Sequence, residues 1–217
     1  QKDFEATHVR PERLMKTLFT DEAYVKANVD EARLMRRLFD LACNMQSHDT
    51  DMQLYSLFTD EECYDLWSCN NLYWYLTHAC SPVTDGLMPY READLLRNIL
   101  DRADAALKEG KNQATLRFGH ESCLLPLVAL LELNHYGESY PDVEKLSEQW
   151  RAYDIFPMAS NVQFVFFHKK GSNDVLVKVL LNEKETKLPV KTDVAPYYHW
   201  KDVESYYREK LDKYQHI

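Results

Sequence analysis

Apolar positions recur at helical spacing from Pro11 to about Tyr90, and they set the first expectations for this chain. Pro11–Phe19 predicts a short helix with Leu14, Leu18 and Phe19 on one side. Asp30 is placed to cap the next helix, whose apolar stripe runs Leu34, Leu38, Leu41, Met45. After a polar loop around His48-Asp49-Thr50, Thr59-Asp-Glu-Glu62 spells a capping box and opens a helix through Trp67 and Leu72. Ser81–Gly86 is a loop. Glu92–Lys108 then reads as a helix stopped by Gly110 at its C′ position. The period changes at Thr115-Leu-Arg-Phe118, a short alternation that predicts a buried strand, broken by Gly119. His120 and Glu121 follow at the crest, and the apolar run Leu124–Leu133 predicts a helix. Its Pro126 is expected in the first turn, where a missing N–H costs nothing.

Farther on, Val143–Trp150 predicts a short helix, and Val162–Phe167 and Val175–Leu181 predict a hairpin joined by the long loop 169–174. A brief edge strand ends at Pro189, and a last helix covers about Lys201–Tyr214. One strand before a helix and a hairpin after it do not make a complete sheet, so further strands from outside the 217 residues are expected.

Composition narrows the function classes. Hydrophobic content of 45% with 28% charged residues is ordinary for a globular protein, and no apolar run approaches the length of a bilayer span. A net charge of −9 with no basic stripe argues against a nucleic-acid binder, and a polyanionic substrate would need a locally positive pocket. The polar start Gln1–His8 has no initiator Met and no signal peptide, which suggests a processed form or an excised piece. The five cysteines (43, 63, 69, 80, 123) have no C-x-x-C pair and read as buried thiols rather than a disulfide framework.

The strand–turn–helix at 115–133 carries the candidate chemistry, because backbone N–H groups and the helix dipole point outward at such a turn. His120-Glu121 could equally cap the helix and complement its positive end. Arg117 could bind phosphate or pair with a carboxylate. The H-E-x-x-H zinc pattern fails, since position 124 is Leu124. His48-Asp49-Thr50 and His168-Lys169-Lys170 read as solvated loops, and Trp67, Tyr73, Trp74 and Tyr75 as a helix core with one polar edge.

At Leu116-Arg-Phe-Gly-His-Glu-Ser-Cys-Leu-Leu-Pro-Leu127 the sequence resembles the C-terminal half of the histidine acid phosphatases, in the branch of the multiple inositol-polyphosphate phosphatases and phytases. Leu95–Gly110, the Pro157–Phe166 segment, Val175–Leu181 and Ala195-Pro-Tyr-Tyr-His-Trp200 extend the likeness. It implies α/β plus α architecture: a mostly helical, cap-like domain over 1–110, followed over 111–217 by the C-terminal part of a phosphoglycerate-mutase-like α/β catalytic domain. It also implies hydrolysis of phosphomonoesters through a phosphohistidine, with inositol polyphosphates as substrates, no metal or organic cofactor, and a periplasmic or secreted setting. His120 would hold a phosphoryl oxygen, Glu121 would be general acid and then base, and Arg117 would aid substrate binding.

Two departures stand beside the likeness. The family's nucleophile lies in an Arg-His-Gly-x-Arg-x-Pro motif, which these 217 residues lack. The acid follows His120 directly as Glu121, where the family has Asp, or has Glu one residue later. The resemblance therefore implies an N-terminal half as partner and an inactive isolated chain. A non-catalytic phosphate-binding relative and a helical interaction module remain as other readings.

Overall fold

The computed structural model describes residues 1–111 and 113–214, which gather into two compact units, 1–73 and 74–217. The first unit is helical: α1 (Lys2–His8), α2 (Glu12–Leu18), α3 (Glu22–Asn28), α4 (Glu31–Asn44) and the start of α5 (Asp60–His78). Their N-termini follow from local chemistry. Asp21 and Asp30 accept from the backbone N–H of Tyr24 (2.9 Å) and Arg33 (3.0 Å), so α3 and α4 begin where those carboxylates satisfy orphan donors. The capping box of α5 forms as expected. The Glu62 N–H donates to Thr59 Oγ1 (3.2 Å), and the Thr59 N–H donates to Glu62 Oε2 (2.9 Å). Arg13 joins the same carboxylate through Nε (2.7 Å), and Arg10 donates to Asp65 (2.6 Å).

The core of this unit is Leu14, Met15, Val25, Met35, Ala42, Leu66 and Leu72. On α4 the buried line passes through Met35 and Ala42, while Leu41 is half exposed. The helix is thus turned by about one residue, roughly 100°, from the stripe expected at Leu34, Leu38, Leu41 and Met45. That rotation leaves Cys43 in solvent, contrary to the expected buried thiol; Cys69 is buried, and all five cysteines are free.

The second unit combines helices with a small antiparallel sheet. It holds residues 74–78 of α5, then α6 (Ala93–Glu109), α7 (Glu121–Leu130), α8 (Leu146–Gln149) and α9 (Ala152–Ile155). The strands β1 (Val162–His168), β2 (Val175–Leu181), β3 (Lys184–Glu185) and β4 (Tyr198–His199) lead to α10 (Trp200–Tyr214). α6 stops at Gly110, which takes the left-handed φ of 63° that a side chain resists. β1 pairs with β2 from Val162–Leu181 to His168–Val175, and β3 and β4 both pair with β2. Val177, Val179 and Leu181 alternate into the core, the period of a sheet buried on one face. Among the described residues, β1 has no partner on its other side.

α7 is the buried rod of this unit. Leu125 to Leu130 are all buried, and each fully enclosed leucine contributes about 1.5–3 kcal/mol. Pro126 lies inside the helix rather than in its first turn, so the carbonyl of Ser122 lacks its usual i+4 donor. Burial of the apolar face outweighs the lost bond. The 3-10 turn at Met88–Glu92 packs along α7.

α10 fastens the other end of the rod. Tyr207 Oη donates to the Leu131 carbonyl (2.7 Å) and Lys210 Nζ to the Leu130 carbonyl (2.7 Å), which satisfies acceptors a helix end leaves open. Lys210 also pairs with Glu132 at 3.1 Å. Glu132 and Asn134 then take left-handed conformations to turn the chain. Gly137 is required there, because a Cβ would lie 2.9 Å from the Glu132 Cα.

Residues 113–120 depart from expectation. They form no strand, and Leu116 and Phe118 are 75% and 94% exposed. A strand exists only when a neighbour supplies its ladder, and the sheet of β1–β4 does not reach this segment. Gly119 takes no left-handed turn.

Candidate functional site

The site is built on the N-terminal end of α7. His120 occupies the N-cap position in an extended conformation, and its side chain makes no capping hydrogen bond. Its carbonyl accepts from the N–H groups of Cys123 (3.0 Å) and Leu124 (3.1 Å). The imidazole is exposed, so the role of side-chain cap is not realised. Glu121 opens the first turn, also exposed, where its negative charge complements the helix dipole. The pair projects from the end of a rod whose other end is clamped by α10.

Arg117 is not drawn to that pair. Its Nη2 donates to Asn98 Oδ1 on α6 at 2.8 Å, along the exposed 113–120 segment. Of the sequence's two alternatives for it, the carboxylate partner is replaced by a neutral amide oxygen.

Two residues that sequence reasoning passed over belong to the neighbourhood. His78, at the end of α5, is buried with its ring 4.7 Å from Trp74, and its Nδ1 lies 2.7 Å from Thr77 Oγ1. Burial lowers its affinity for a proton; the Arg91 guanidinium adds to that shift, and the charge of Glu121 opposes it. Arg91 comes from the 3-10 turn that packs on α7, and it is exposed. No motif spacing links 78, 91 and 121; only packing of the turn onto the helix brings them into mutual range.

The chemistry available is that of an acid and a nitrogen base at a helix end, with the exposed positive charge of Arg91 nearby. A cavity of about 210 Å³ lies beyond the opposite end of α7, lined in part by Glu132 and Glu138. Two carboxylates make it a poor receptor for phosphate. Among the described residues no group of His, Cys, Asp and Glu is arranged to hold a metal, and no helix is long and apolar enough to cross a membrane. His48-Asp49-Thr50 is an exposed bend, and His168 binds the Ser172 carbonyl at 2.7 Å across the hairpin loop.

Known proteins extend this picture. The chain is 28% identical over 134 residues to multiple inositol polyphosphate phosphatase 1 of Homo sapiens, an alignment covering 56% of this chain and 27% of that protein. Among solved structures it resembles the multiple inositol polyphosphate phosphatase of Bifidobacterium longum. The phosphate complex matches with a TM-score of 0.70 and 22% identity, over 83% of this chain and 40% of that one. The inositol hexasulfate complex matches with a TM-score of 0.66 and 22% identity, over 81% and 38%. At that identity the likeness establishes the fold, which is the expected α/β-plus-α, phosphoglycerate-mutase-like class. The chain spans about a quarter of the human relative and two-fifths of the bacterial ones. The model of the histidine phosphatase superfamily (branch 2) matches residues 5–182, most of the sequence, and the chain therefore belongs to that family.

Proposed function

We propose that this chain is the C-terminal portion of a phosphatase that hydrolyses phosphomonoesters of inositol polyphosphates through a phosphohistidine. The observation that carries the reading is the exposed His120-Glu121 pair on the end of a buried, clamped helix, in a chain of the histidine phosphatase superfamily. The relatives' names, and the phosphate and inositol hexasulfate bound to one of them, support the substrate class.

In this reading an imidazole nitrogen from polypeptide outside the 217 residues attacks phosphorus, and the P–O bond to the inositol oxygen breaks. His120, as imidazolium, donates an N–H to a phosphoryl oxygen, where negative charge builds. Glu121 gives its proton to the leaving alkoxide. A water then attacks the phosphohistidine, its proton passes to the Glu121 carboxylate, and phosphate leaves with both partners restored. Arg117 turns from Asn98 to the substrate when the site is complete. Residues 1–110 act as the helical cap-like domain and 111–217 as part of the catalytic one, in an exported protein.

The missing half also accounts for the exposed 113–118 segment. Leu116 and Phe118 are surfaces a ladder partner would cover, and the open edge of β1 offers the same opportunity. The test is phosphate release from inositol hexakisphosphate by the 217-residue chain alone, by the full-length protein, and by full-length His120→Ala. Turnover only in the unmodified full-length protein supports the reading. Equal turnover by the isolated chain, or an undiminished His120→Ala variant, removes it.

A further inference from the structure

Far along the chain from the candidate site, one histidine is held by carboxylates at both ring nitrogens. His199 Nδ1 lies 3.0 Å from both oxygens of Asp174, and its Nε2 lies 2.9 Å from Asp193 Oδ1. Asp174 ends the β1–β2 loop, Asp193 belongs to the connection between β3 and β4, and His199 closes β4 at the start of α10. An ionised carboxylate can only accept, so both nitrogens must carry hydrogen, and that is the imidazolium. In the neutral ring one lone pair faces a carboxylate oxygen, and one of the two ties is lost.

From this geometry we infer that His199 is a pH-operated tie, which pins the connection around Asp193 to β4 and the hairpin in acid and frees it as pH rises. Asp193 is the partner that lets go. Its side chain is 81% exposed against 46% for Asp174, so water replaces the imidazole readily, and it makes a single contact where Asp174 makes two. The other fastenings near that point are local to the connection: Thr192 Oγ1 donates to the Tyr197 carbonyl (2.7 Å) and accepts from the Val194 N–H (3.2 Å), and the Tyr197 N–H donates to the Val194 carbonyl (3.0 Å).

The charges around the tie leave its sign unambiguous. Asp174, from the hairpin, and Asp193, from the connection, are the ones that act on His199, and both raise its proton affinity above the ordinary 6.5 against slight burial. On β2, Lys178 is engaged by Glu185 (3.1 Å) and stands over the Tyr197 ring. On α10, Lys201 and Asp202 are adjacent in sequence, and the Trp200 indole donates to Asp104. On β1, His168 is bonded to the Ser172 carbonyl. A histidine with raised affinity stabilises the fold fully below its unfolded value, and the contribution is lost as pH rises through the folded value. The tie is therefore closed in mild acid and open on the alkaline side.

The experiment is a proton NMR titration of the His199 ring with amide exchange of residues 193–199, corrected at each pH for intrinsic rate. It is run on the wild-type chain and on Asp193→Asn, a surface change that leaves the fold intact. The expected result is a wild-type midpoint above 6.5, lower in Asp193→Asn, with protection of the Val194 and Tyr197 amides falling severalfold through that midpoint in the wild type alone. A midpoint at or below 6.5, or the same pH response in both proteins, overturns the inference.

Discussion

Replacing Tyr207 by Phe isolates the fastening that holds α7 in place. Tyr207 is fully buried, and its hydroxyl donates to the carbonyl of Leu131, itself buried, at 2.7 Å. Burial also holds that phenol well above its ordinary proton affinity, so it remains a donor across the working pH range. Phenylalanine keeps the ring and its packing, so almost no cavity is made and the loss is confined to the bond. A made hydrogen bond is worth about 0.5–1.5 kcal/mol, but a buried acceptor left without a donor costs about 1–3 kcal/mol. The Leu131 carbonyl accepts no other bond among the described residues and its residue is fully buried, so the upper range applies. Urea unfolding of the chain, followed by the fluorescence of its four tryptophans, of which Trp150 and Trp200 are buried in the second unit, reads this directly. With a slope of about 1–3 kcal/mol per molar urea, the midpoint falls by on the order of 1 M and the slope is unchanged, because the exposed area is the same. A loss below about 0.3 kcal/mol would refute the view that α10 anchors α7 through this carbonyl.

Two further outcomes concern carboxyl and thiol groups. Arg13 holds the Glu62 carboxyl below its ordinary range, with burial opposing and the Thr59 N–H assisting. A depressed carboxyl contributes stability above its unfolded value and loses it as pH falls through the folded one. Glu62→Gln therefore flattens the acid limb of a stability–pH curve taken from about pH 6 to pH 3, and an acid limb as steep as the wild type's would contradict the assignment. Among the thiols, burial pushes Cys69 and Cys80 up to about 11, while Cys43 is exposed. Labelling by a thiol reagent at neutral pH, resolved by peptide mass, marks Cys43 first and leaves Cys69 and Cys80 until denaturant is added. Equal rates at Cys43 and Cys69 would show that the rotation of α4 is wrong.

What the sequence disclosed depended on how local the cause was. Asp30 and Thr59-Glu62 announced their helices because a cap satisfies N–H groups three residues away. Val175–Leu181 announced β2 because its alternation and its partner are joined by one loop. Residues 115–118 carry the same alternation, yet it reports only the capacity to pair, and none of the described strands supplies a ladder. Pro126 was misplaced for a related reason: the rule against interior proline weighs one hydrogen bond, while six consecutive buried residues of α7 weigh more. At the site, His120 and Glu121 were legible from their place between two apolar runs. His78 and Arg91 were not, since packing rather than spacing brings them near Glu121.

The central claim is that Glu121 moves the proton on which departure of the alkoxide depends. The direct measurement compares full-length wild type with Glu121→Gln on inositol hexakisphosphate and on an aryl phosphate whose leaving group needs no proton. The account predicts a loss of about 10²–10⁴-fold on the inositol ester and little change in the aryl burst. Equal turnover on the inositol ester would contradict it.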